Sequence, residues 1–225
     1  MNYNHAYYDA FIKHVGFQKA SDNLSGYLSG HHKSPERYFR IAARVQARRG
    51  LWVKTFESKE EMRQWVPRVG RVFREAFSKD PDFHPPSDAD IAQFSQKLIP
   101  IAEPRLIKLV MQGEEVIGYL FAYPDISAGL QKAKGRLWPL GWVHILFEKR
   151  RTKWVNLNGL GALPAYQGRG ASILLYAELA RSMEQFDFEH AKVVQVGEEN
   201  PKSRSDMEAM GVEWYKRHRS CRRPL

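Results

Sequence analysis

Six consecutive residues that could bind phosphate, Gln167-Gly168-Arg169-Gly170-Ala171-Ser172, stand between a strand-like segment and a helix-like segment. The first backbone amides of a helix have no partner within the helix, and together with the helix dipole they attract anions such as phosphate. Glycine lets a ligand approach the backbone closely, and Arg169 adds a positive charge beside it. The spacing therefore predicts a phosphate-binding turn at the start of a helix.

Other glycine-rich phosphate motifs fit this turn less well. A Walker sequence needs Gly-Lys followed by Ser or Thr, which is absent from the chain. A dinucleotide fingerprint needs three spaced glycines and a ribose-binding acid about 20 residues later, and neither is present here.

The elements that must position the turn are readable from hydrophobic periodicity and turn residues. Strands are predicted at 51–56, 105–111, 116–123, 154–163, 191–196 and 212–219. Helices are predicted at 62–77, 91–99, 172–185 and 203–210. Capping patterns that begin at Ser58 and Ser87 mark two helix starts, and Pro67 predicts a kink or a split in the first of these helices.

The turn resembles the Q/R-x-x-G-x-G/A signature of the GNAT superfamily of acyl-CoA-dependent acyltransferases. The lead-in Leu163-Pro164-Ala165-Tyr166 is also similar, as is the tail, in which a strand is followed by Asn200, a short helix and Gly211-Val212. The resemblance implies a mixed α/β fold with a mostly antiparallel sheet flanked by helices. Ser172 departs from the usual Gly or Ala, but it is small enough to leave phosphate binding intact.

The same resemblance implies acetyl-CoA as co-substrate, with its pyrophosphate on the amides of the turn. A backbone amide at a bulged end of the preceding strand, near Ala162 or Leu163, would hold the developing oxyanion. Asn200 resembles the family's asparagine that contacts the cofactor arm. The implied cofactor-binding residues are Ala162, Leu163, Gln167, Gly168, Arg169, Gly170, Ala171, Ser172 and Asn200.

The start of the chain looks like a second tail of the same kind. Residues 4–28 contain Asn, a short aromatic helix, Gly-Phe and then a strand, so the chain is similar to bacterial proteins built as two GNAT-like halves. We therefore expect residues 1–50 to be the remnant of a preceding half, in which residues 34–49 form a helical bridge. Residues 51–225 would form the acyltransferase domain, with an insertion at 124–153. We expect the helix and strand of residues 4–28 to pack on the main domain or on a neighbouring chain in a homodimer. The alternative to a second tail is an unrelated helix and strand.

An acceptor amine has a pKa near 10.4, so it must lose a proton before it can attack. Glu199, which follows a predicted strand, is the preferred base; a solvated acid pair with Glu198 is the alternative. Asn158 and Asn156 lie on a strand expected to be covered on both faces, where they would bind the acceptor, hold a water, or make structural hydrogen bonds.

The proton donor is where the sequence departs most from the family. The usual Tyr, four residues before the tail glycine, is Met207 here. General acid catalysis typically contributes about 10²–10⁴-fold, and a thiol that ionises near 8.5 leaves tolerably unaided, so the loss slows the reaction without forbidding it. Tyr215 would substitute if the last strand points it inward.

Two classes of function follow. The first is an acyl-CoA-dependent N-acyltransferase that acts on an unidentified amine. The second is a catalytically degenerate GNAT-like module that binds CoA, or binds RNA through its basic clusters. A transferase that uses aminoacyl-tRNA is a variant of the first, although it would not need the pyrophosphate turn.

The insertion contains an aromatic segment with basic flanks, "RLWPLGWVHILFEKRR". It reads as a buried helix with snorkelling ends, as a lid over an acceptor pocket, or as a surface that touches a membrane. In the second case Trp138, Trp142 and Phe147 would line an apolar pocket, and the acceptor would carry an apolar part and an anionic group.

Composition sets the remaining expectations. The net charge is +10, and the basic residues cluster, which attracts nucleic acid, anionic lipid or a phosphorylated cofactor. The single cysteine excludes an internal disulfide, and no apolar run is long enough to span a bilayer, so a soluble cytoplasmic protein is expected. No metal site is expected, because the spacings around His31-His32 and Asp80, Asp82 and His84 do not suit a bound ion.

Overall fold

The structure, a computed structural model, describes residues 4–30, 36–78 and 83–224 of the 225-residue chain. The predictions made for His31, His32, Asp80, Asp82 and the start of the helical bridge at Ser34 lie outside the described residues.

The described elements alternate between helices and strands. The α-helices are α1 (Tyr7–His14), α2 (Glu36–Arg49), α3 (Lys59–Ala76), α4 (Asp88–Leu98), α5 (Ser127–Lys132), α6 (Gly141–Arg151), α7 (Ala171–Gln185) and α8 (Pro201–Ala209). The strands are β1 (Gln18–Ser29), β2 (Leu51–Lys54), β3 (Lys108–Gln112), β4 (Glu115–Pro124), β5 (Trp154–Ala162), β6 (His190–Gly197) and β7 (Glu213–Arg222). Short 3₁₀ turns occupy Pro104–Leu106 and Pro164–Tyr166.

The chain divides into two compact units. One comprises Ser29–Lys192, and the other comprises Met1–Leu28 together with Val193–Leu225. The domain boundary predicted near residue 50 stays a prediction. The N-terminal segment groups with the C-terminal one because β1 pairs antiparallel with β7, from Gln18 opposite Arg222 to Tyr27 opposite Glu213.

In the larger unit, four strands pair antiparallel in the order β2-β3-β4-β5. The predicted hairpin is confirmed, with β3 and β4 joined through Gly113, whose φ of 56° suits glycine. The first four residues of β3 are all buried, which is typical of a strand covered on both faces.

The predicted fold class is confirmed. The fold is mixed α/β, with strands that are mostly antiparallel and flanked by helices. In the larger unit, α7 buries eight of its side chains, among them Leu174, Leu175 and Leu179, which fixes the position of the helix that follows the glycine turn.

The helix α3 begins where the sequence predicted. Ser58 caps it, since its side-chain oxygen accepts a hydrogen bond from the amide of Glu61 at 3.1 Å. The predicted split at Pro67 is wrong, because α3 runs unbroken from Lys59 to Ala76. Pro67 removes one backbone hydrogen bond, and the burial of Gly70 and Val72 on the inner face stabilises the helix beyond it.

Among the described residues, no helix combines the length and the apolarity needed to cross a bilayer.

Candidate active site

The glycine turn connects β5 to α7 in the larger unit. The chain passes from Ala162 through the 3₁₀ turn Pro164–Tyr166 and reaches Gly168 at φ 73° and Gly170 at φ 95°. Both angles lie in the left-handed region, where a side chain other than glycine is strained. Gly170 is also the N-cap of α7, so the two glycines set the angle at which the helix begins.

The turn leaves backbone donors open at the helix start. The first helical hydrogen bond runs from the amide of Leu174 to the carbonyl of Gly170 at 3.2 Å. The amides of Gly170, Ala171 and Ser172 precede it and donate to no other described residue. The amide of Arg169 is engaged instead, since it donates to the carbonyl of Tyr166 at 3.1 Å. Three amides of the predicted set are therefore available for an anion.

A cavity of about 500 Å³ adjoins the turn. It is lined by Arg49, Leu51, Gln112, Tyr166 and Arg169, and the Tyr166 hydroxyl donates a hydrogen bond to the Gln112 side chain. The two arginines that line this cavity suit a phosphorylated ligand, because each guanidinium offers several fixed donors. Nothing in the sequence indicates that Arg49, at the end of α2, lies at the turn.

Gly170 has a packing role as well. A Cβ atom added there would lie 2.6 Å from Cγ2 of Val45 on α2, so the absence of a side chain lets α2 pack against the turn. A substitution at Gly170 therefore disturbs this packing in addition to any ligand.

The Gln167 side chain holds the turn in place. Its Nε2 donates to the carbonyl of Ala162 at 3.1 Å and to the carbonyl of Ala76 at 3.3 Å. The two bonds tie the turn to the end of β5 and to the end of α3, and they use both protons of the Gln167 side-chain NH₂ group.

The bulge of β5 lies at Asn158, not at the end of the strand near Ala162 or Leu163, where it was predicted. Phe121 of β4 faces Gly159 and Ala122 faces Leu157, so Asn158 is the extra residue. Its side chain is exposed, and that of Asn156 is half-buried, so this strand is not covered on both faces. At the strand end, the Leu163 amide donates to the carbonyl of Ile117 at 2.9 Å and is thus already paired.

Tyr119 is a candidate that sequence reasoning missed. It lies on β4 and is 1% exposed, with its ring 4.7 Å from that of Phe121, centroid to centroid. Its hydroxyl lies over the backbone of Gly161, where an added Cβ would be 2.9 Å from the oxygen. The hydroxyl makes no hydrogen bond to another described residue, and burial raises the pKa of Tyr119 well above its ordinary value.

The remaining predicted residues lie in the smaller unit. Glu199 is exposed, whereas its neighbour Glu198 pairs with Lys19 at 2.8 Å and with Arg217. The hydrogen bond from Lys19, followed by that from Arg217, lowers the pKa of Glu198. Of the two acids, Glu199 is therefore the one whose carboxylate no ion pair occupies among the described residues.

Asn200, Met207 and Tyr215 take separate positions around α8 and β7. Asn200 caps α8, since its Oδ1 accepts from the amide of Ser203 at 3.1 Å, which leaves its side-chain NH₂ group to donate elsewhere. Met207 is buried in α8. Tyr215 is 49% exposed, with the Lys216 ammonium 5.1 Å from its ring centroid, so β7 does not point it inward.

The aromatic segment of the insertion forms α6 and the turn before it. Trp138, Trp142 and Phe147 are all exposed, so they do not line the apolar pocket that was predicted. Among the described residues, no group of three or more His, Cys, Asp or Glu side chains is placed to hold a metal ion.

No protein-family model matches the chain, and no curated protein sequence matches it either. Several solved structures, however, have a fold similar to that of this chain. A GCN5-related N-acetyltransferase from Sphaerobacter thermophilus superposes with a TM-score of 0.62 at 14% identity over 98% of this chain and 57% of that one.

Two further structures are similar over most of this chain. The GCN5-related glucosamine N-acetyltransferase region of a fungal multi-domain GH3 β-N-acetylglucosaminidase has a TM-score of 0.58 at 12% identity, over 95% of this chain and 22% of that one. A tandem GNAT protein from the clavulanic acid biosynthesis pathway has a TM-score of 0.57 at 10% identity, over 97% of this chain and 58% of that one. The chain thus spans less than two thirds of the length of each of these proteins. Its fold is that of the GCN5-related N-acetyltransferases.

Proposed function

We propose that the chain is an acyl-CoA-dependent N-acetyltransferase that transfers the acetyl group of acetyl-CoA to an amine by direct attack in a ternary complex. The observation that carries the proposal is the glycine turn, where the amides of Gly170, Ala171 and Ser172 are open at the N-terminus of a 15-residue helix. The fold shared with GCN5-related N-acetyltransferases supports it. We expect the protein to act in the cytoplasm.

The residues around the turn fit the diphosphate of CoA. The open amides would hold one phosphate, and the guanidinium groups of Arg169 and Arg49 would pair with further negative charge in the adjoining cavity. When bound, acetyl-CoA supplies an activated acyl group as a thioester. The side-chain NH₂ of Asn200 is a proposed donor to the cofactor arm, and the backbone of Ala162 is proposed to lie near the reacting carbonyl.

The amine must lose a proton to a base, and a proton donor would speed the departure of the thiolate without being required. Glu199 is the proposed base for the amine, because its carboxylate is exposed and its neighbour Glu198 is held by two cations. Asn158, exposed at the bulge, is proposed to bind the acceptor. For the proton donated to the leaving thiolate, the hydroxyls of Tyr119 and Tyr215 are the two proposed candidates: Tyr119 is buried and hydrogen-bonded to no described residue, and Tyr215 is exposed.

The proposal is tested with CoA titrated into the wild-type chain and into Gly168→Val. Gly135→Val is the matched control, because Gly135 has φ 71° against 73° for Gly168, so both substitutions strain the backbone alike. We expect Gly168→Val to lose CoA binding and Gly135→Val to keep it. Arg169→Gln should weaken binding about tenfold or more, given about 1.5–3 kcal/mol for a hydrogen bond to a charged group. Undiminished affinity in Gly168→Val would overturn the assignment of the turn.

A module that binds CoA without turnover is the second candidate, and the buried Met207 at the position of the family's tyrosine favours it. It predicts CoA binding with no release of free CoA from acetyl-CoA in the presence of any of a wide set of amines. Acetylation of one amine in that set would exclude it.

A further inference from the structure

The helices α5 and α6 and the turn between them, residues 127–151, expose many large apolar side chains to solvent. We refer to these residues as the α5–α6 hairpin. Its exposed large apolar side chains are Leu130, Leu137, Trp138, Leu140, Trp142, Val143, Leu146 and Phe147, with Trp138 the most exposed at 82%. Single exposed apolar residues are ordinary, but a contiguous patch of this kind marks an interaction surface.

The orientation of α6 is fixed by its other face. Gly141 is buried, and the Lys149 ammonium donates to the carbonyl of Ala102 at 2.9 Å, which anchors the helix to the body of the unit. A Cβ atom at Gly129 would lie 2.8 Å from the carbonyl oxygen of His144, so α5 packs closely against α6. At about 100° per residue, the exposed side chains at 142, 143, 146 and 147 lie on the face opposite Gly141, and Lys149 lies at the edge of that exposed face, about 20° from Trp142. The packing of α6 therefore directs the apolar stripe away from the core.

The charges of the hairpin are nearly all positive. The hairpin carries six Lys or Arg residues and one acid, Glu148, which is largely buried and lies 3.9 Å from Lys132. Arg136, Arg150 and Arg151 are exposed, and the guanidinium carbon of Arg151 is 5.6 Å from the ring centroid of Phe147. An apolar face with exposed tryptophans and a cationic border is the pattern of helices that lie in the interface of an anionic bilayer.

We propose that the α5–α6 hairpin docks the protein on the surface of an anionic lipid bilayer. Trp138, Trp142 and Phe147 enter the interface between headgroups and acyl chains, and Arg136, Arg150 and Arg151 pair with lipid phosphates. A symmetric dimer through this face fits the surface less well, because it would bring the same arginines of both copies together. The docking does not depend on CoA binding, so each proposal can fail without the other.

Vesicle co-sedimentation of the full chain tests the proposal. Wild type should bind vesicles of equal parts phosphatidylcholine and phosphatidylglycerol and show a blue shift of tryptophan fluorescence, and it should bind phosphatidylcholine vesicles far less. Trp138→Ser combined with Phe147→Ser should reduce the bound fraction at least tenfold. The control is Phe94→Ser, since Phe94 on α4 has the same 62% exposure as Phe147. Arg150→Glu with Arg151→Glu should weaken binding to the anionic vesicles by about fivefold per cation or more, whereas Arg63→Glu on α3 should not.

Three results would overturn the proposal. The first is failure of the wild-type chain to bind the anionic vesicles, and the second is unchanged binding by the Trp138 and Phe147 double variant. The third is a combination of results in which the wild type is a dimer in sedimentation equilibrium, the double variant is a monomer, and neither protein binds vesicles. This combination would show that the face is a protein–protein interface. As a control for folding, each variant should have the same thermal unfolding midpoint and the same CoA affinity as the wild type.

Discussion

The guanidinium of Arg219 binds both carboxylate oxygens of Asp22 in two parallel hydrogen bonds, Nε to Oδ1 and Nη2 to Oδ2, each at 3.0 Å. The two residues stand opposite each other on β7 and β1, and Arg217 adds a third bond to Asp22 at 2.8 Å. The carboxylate is fully buried. Bidentate pairing of a buried acid sets the register of these strands, because a slip of one residue would move Asp22 to the other face.

Replacement of Asp22 by asparagine should destabilise the protein by about 1.5–3 kcal/mol, the contribution of hydrogen bonds to a charged group. The measurement is the free energy of unfolding from urea titration. Asp9→Asn is the control, because Asp9 contacts the same guanidinium at 3.4 Å but is exposed, so it should cause no measurable change. Equal losses in both variants would show that the buried pair has no special role.

The same pair predicts a pH dependence. The hydrogen bond from Arg219 is the main cause that holds the pKa of Asp22 well below its usual value. A group whose pKa is depressed on folding stabilises the protein above its unfolded pKa of about 3.9, and that contribution is lost as the pH falls through the folded value. Wild type should therefore lose stability more steeply than Asp22→Asn below about pH 4. Parallel pH profiles of the two proteins would contradict this.

The buried cation on β3 should reduce stability at neutral pH. Lys108 is 3% exposed, and burial lowers its pKa, with the charge of Glu178 opposing the shift. Lys108→Met should stabilise the protein by about 1–2 kcal/mol, because methionine has a shape similar to that of lysine but carries no charge that must be buried. Lys97→Met on the exposed face of α4 is the control and should change nothing.

The pKa of Lys108 is lower in the folded state than in the unfolded state, where it is about 10.4. Between these two pKa values the unfolded state binds more protons than the folded state, so the stability of the wild-type protein rises with pH. The wild-type protein should therefore approach the stability of Lys108→Met between neutral pH and about pH 9.5, below the range in which tyrosines titrate. A constant difference across that range would show that the lysine keeps its ordinary pKa in the fold.

Two glycines of β5 form a matched pair. A Cβ atom at Gly161 would lie 2.8–2.9 Å from the ring and hydroxyl of Tyr119, whereas one at Gly159 would meet its nearest neighbours at 3.6–3.7 Å, which is ordinary contact. Gly161→Ala should cost about 1–3 kcal/mol through overpacking, and Gly159→Ala should be neutral or slightly stabilising. Similar unfolding free energies for the two variants would contradict the close approach of Tyr119.

Features encoded within a few residues could be predicted from the sequence. The caps at Ser58 and Ser87, the β3–β4 hairpin and the glycine turn each depend on residue types at short spacing, and the structure contains all of them. Their signals are local because the hydrogen bonds or backbone angles involved join near neighbours in the chain.

Contacts between distant residues could not be predicted in this way. Arg49 meets Arg169 at one cavity, and the hydroxyl of Tyr119 reaches Gly161, because of how α2 and β4 pack. No periodicity in the sequence indicates either contact. The aromatic segment of the insertion was equally ambiguous, since apolar helices of similar composition occur both in cores and on interaction surfaces.

The proton donor offers the sharpest test of the proposed chemistry. If the Tyr119 hydroxyl protonates the leaving thiolate, Tyr119→Phe should lower kcat for acetyl transfer by about 10²-fold or more and leave CoA affinity unchanged, since the ring and its packing stay. Tyr123→Phe is the control, because Tyr123 is also partly buried on β4 and burial likewise raises its pKa. Tyr215→Phe tests the rival donor, and its 49% exposure predicts little effect on kcat. Full activity in Tyr119→Phe would exclude this hydroxyl as donor, and loss of activity only in Tyr215→Phe would transfer the role to the exposed tyrosine.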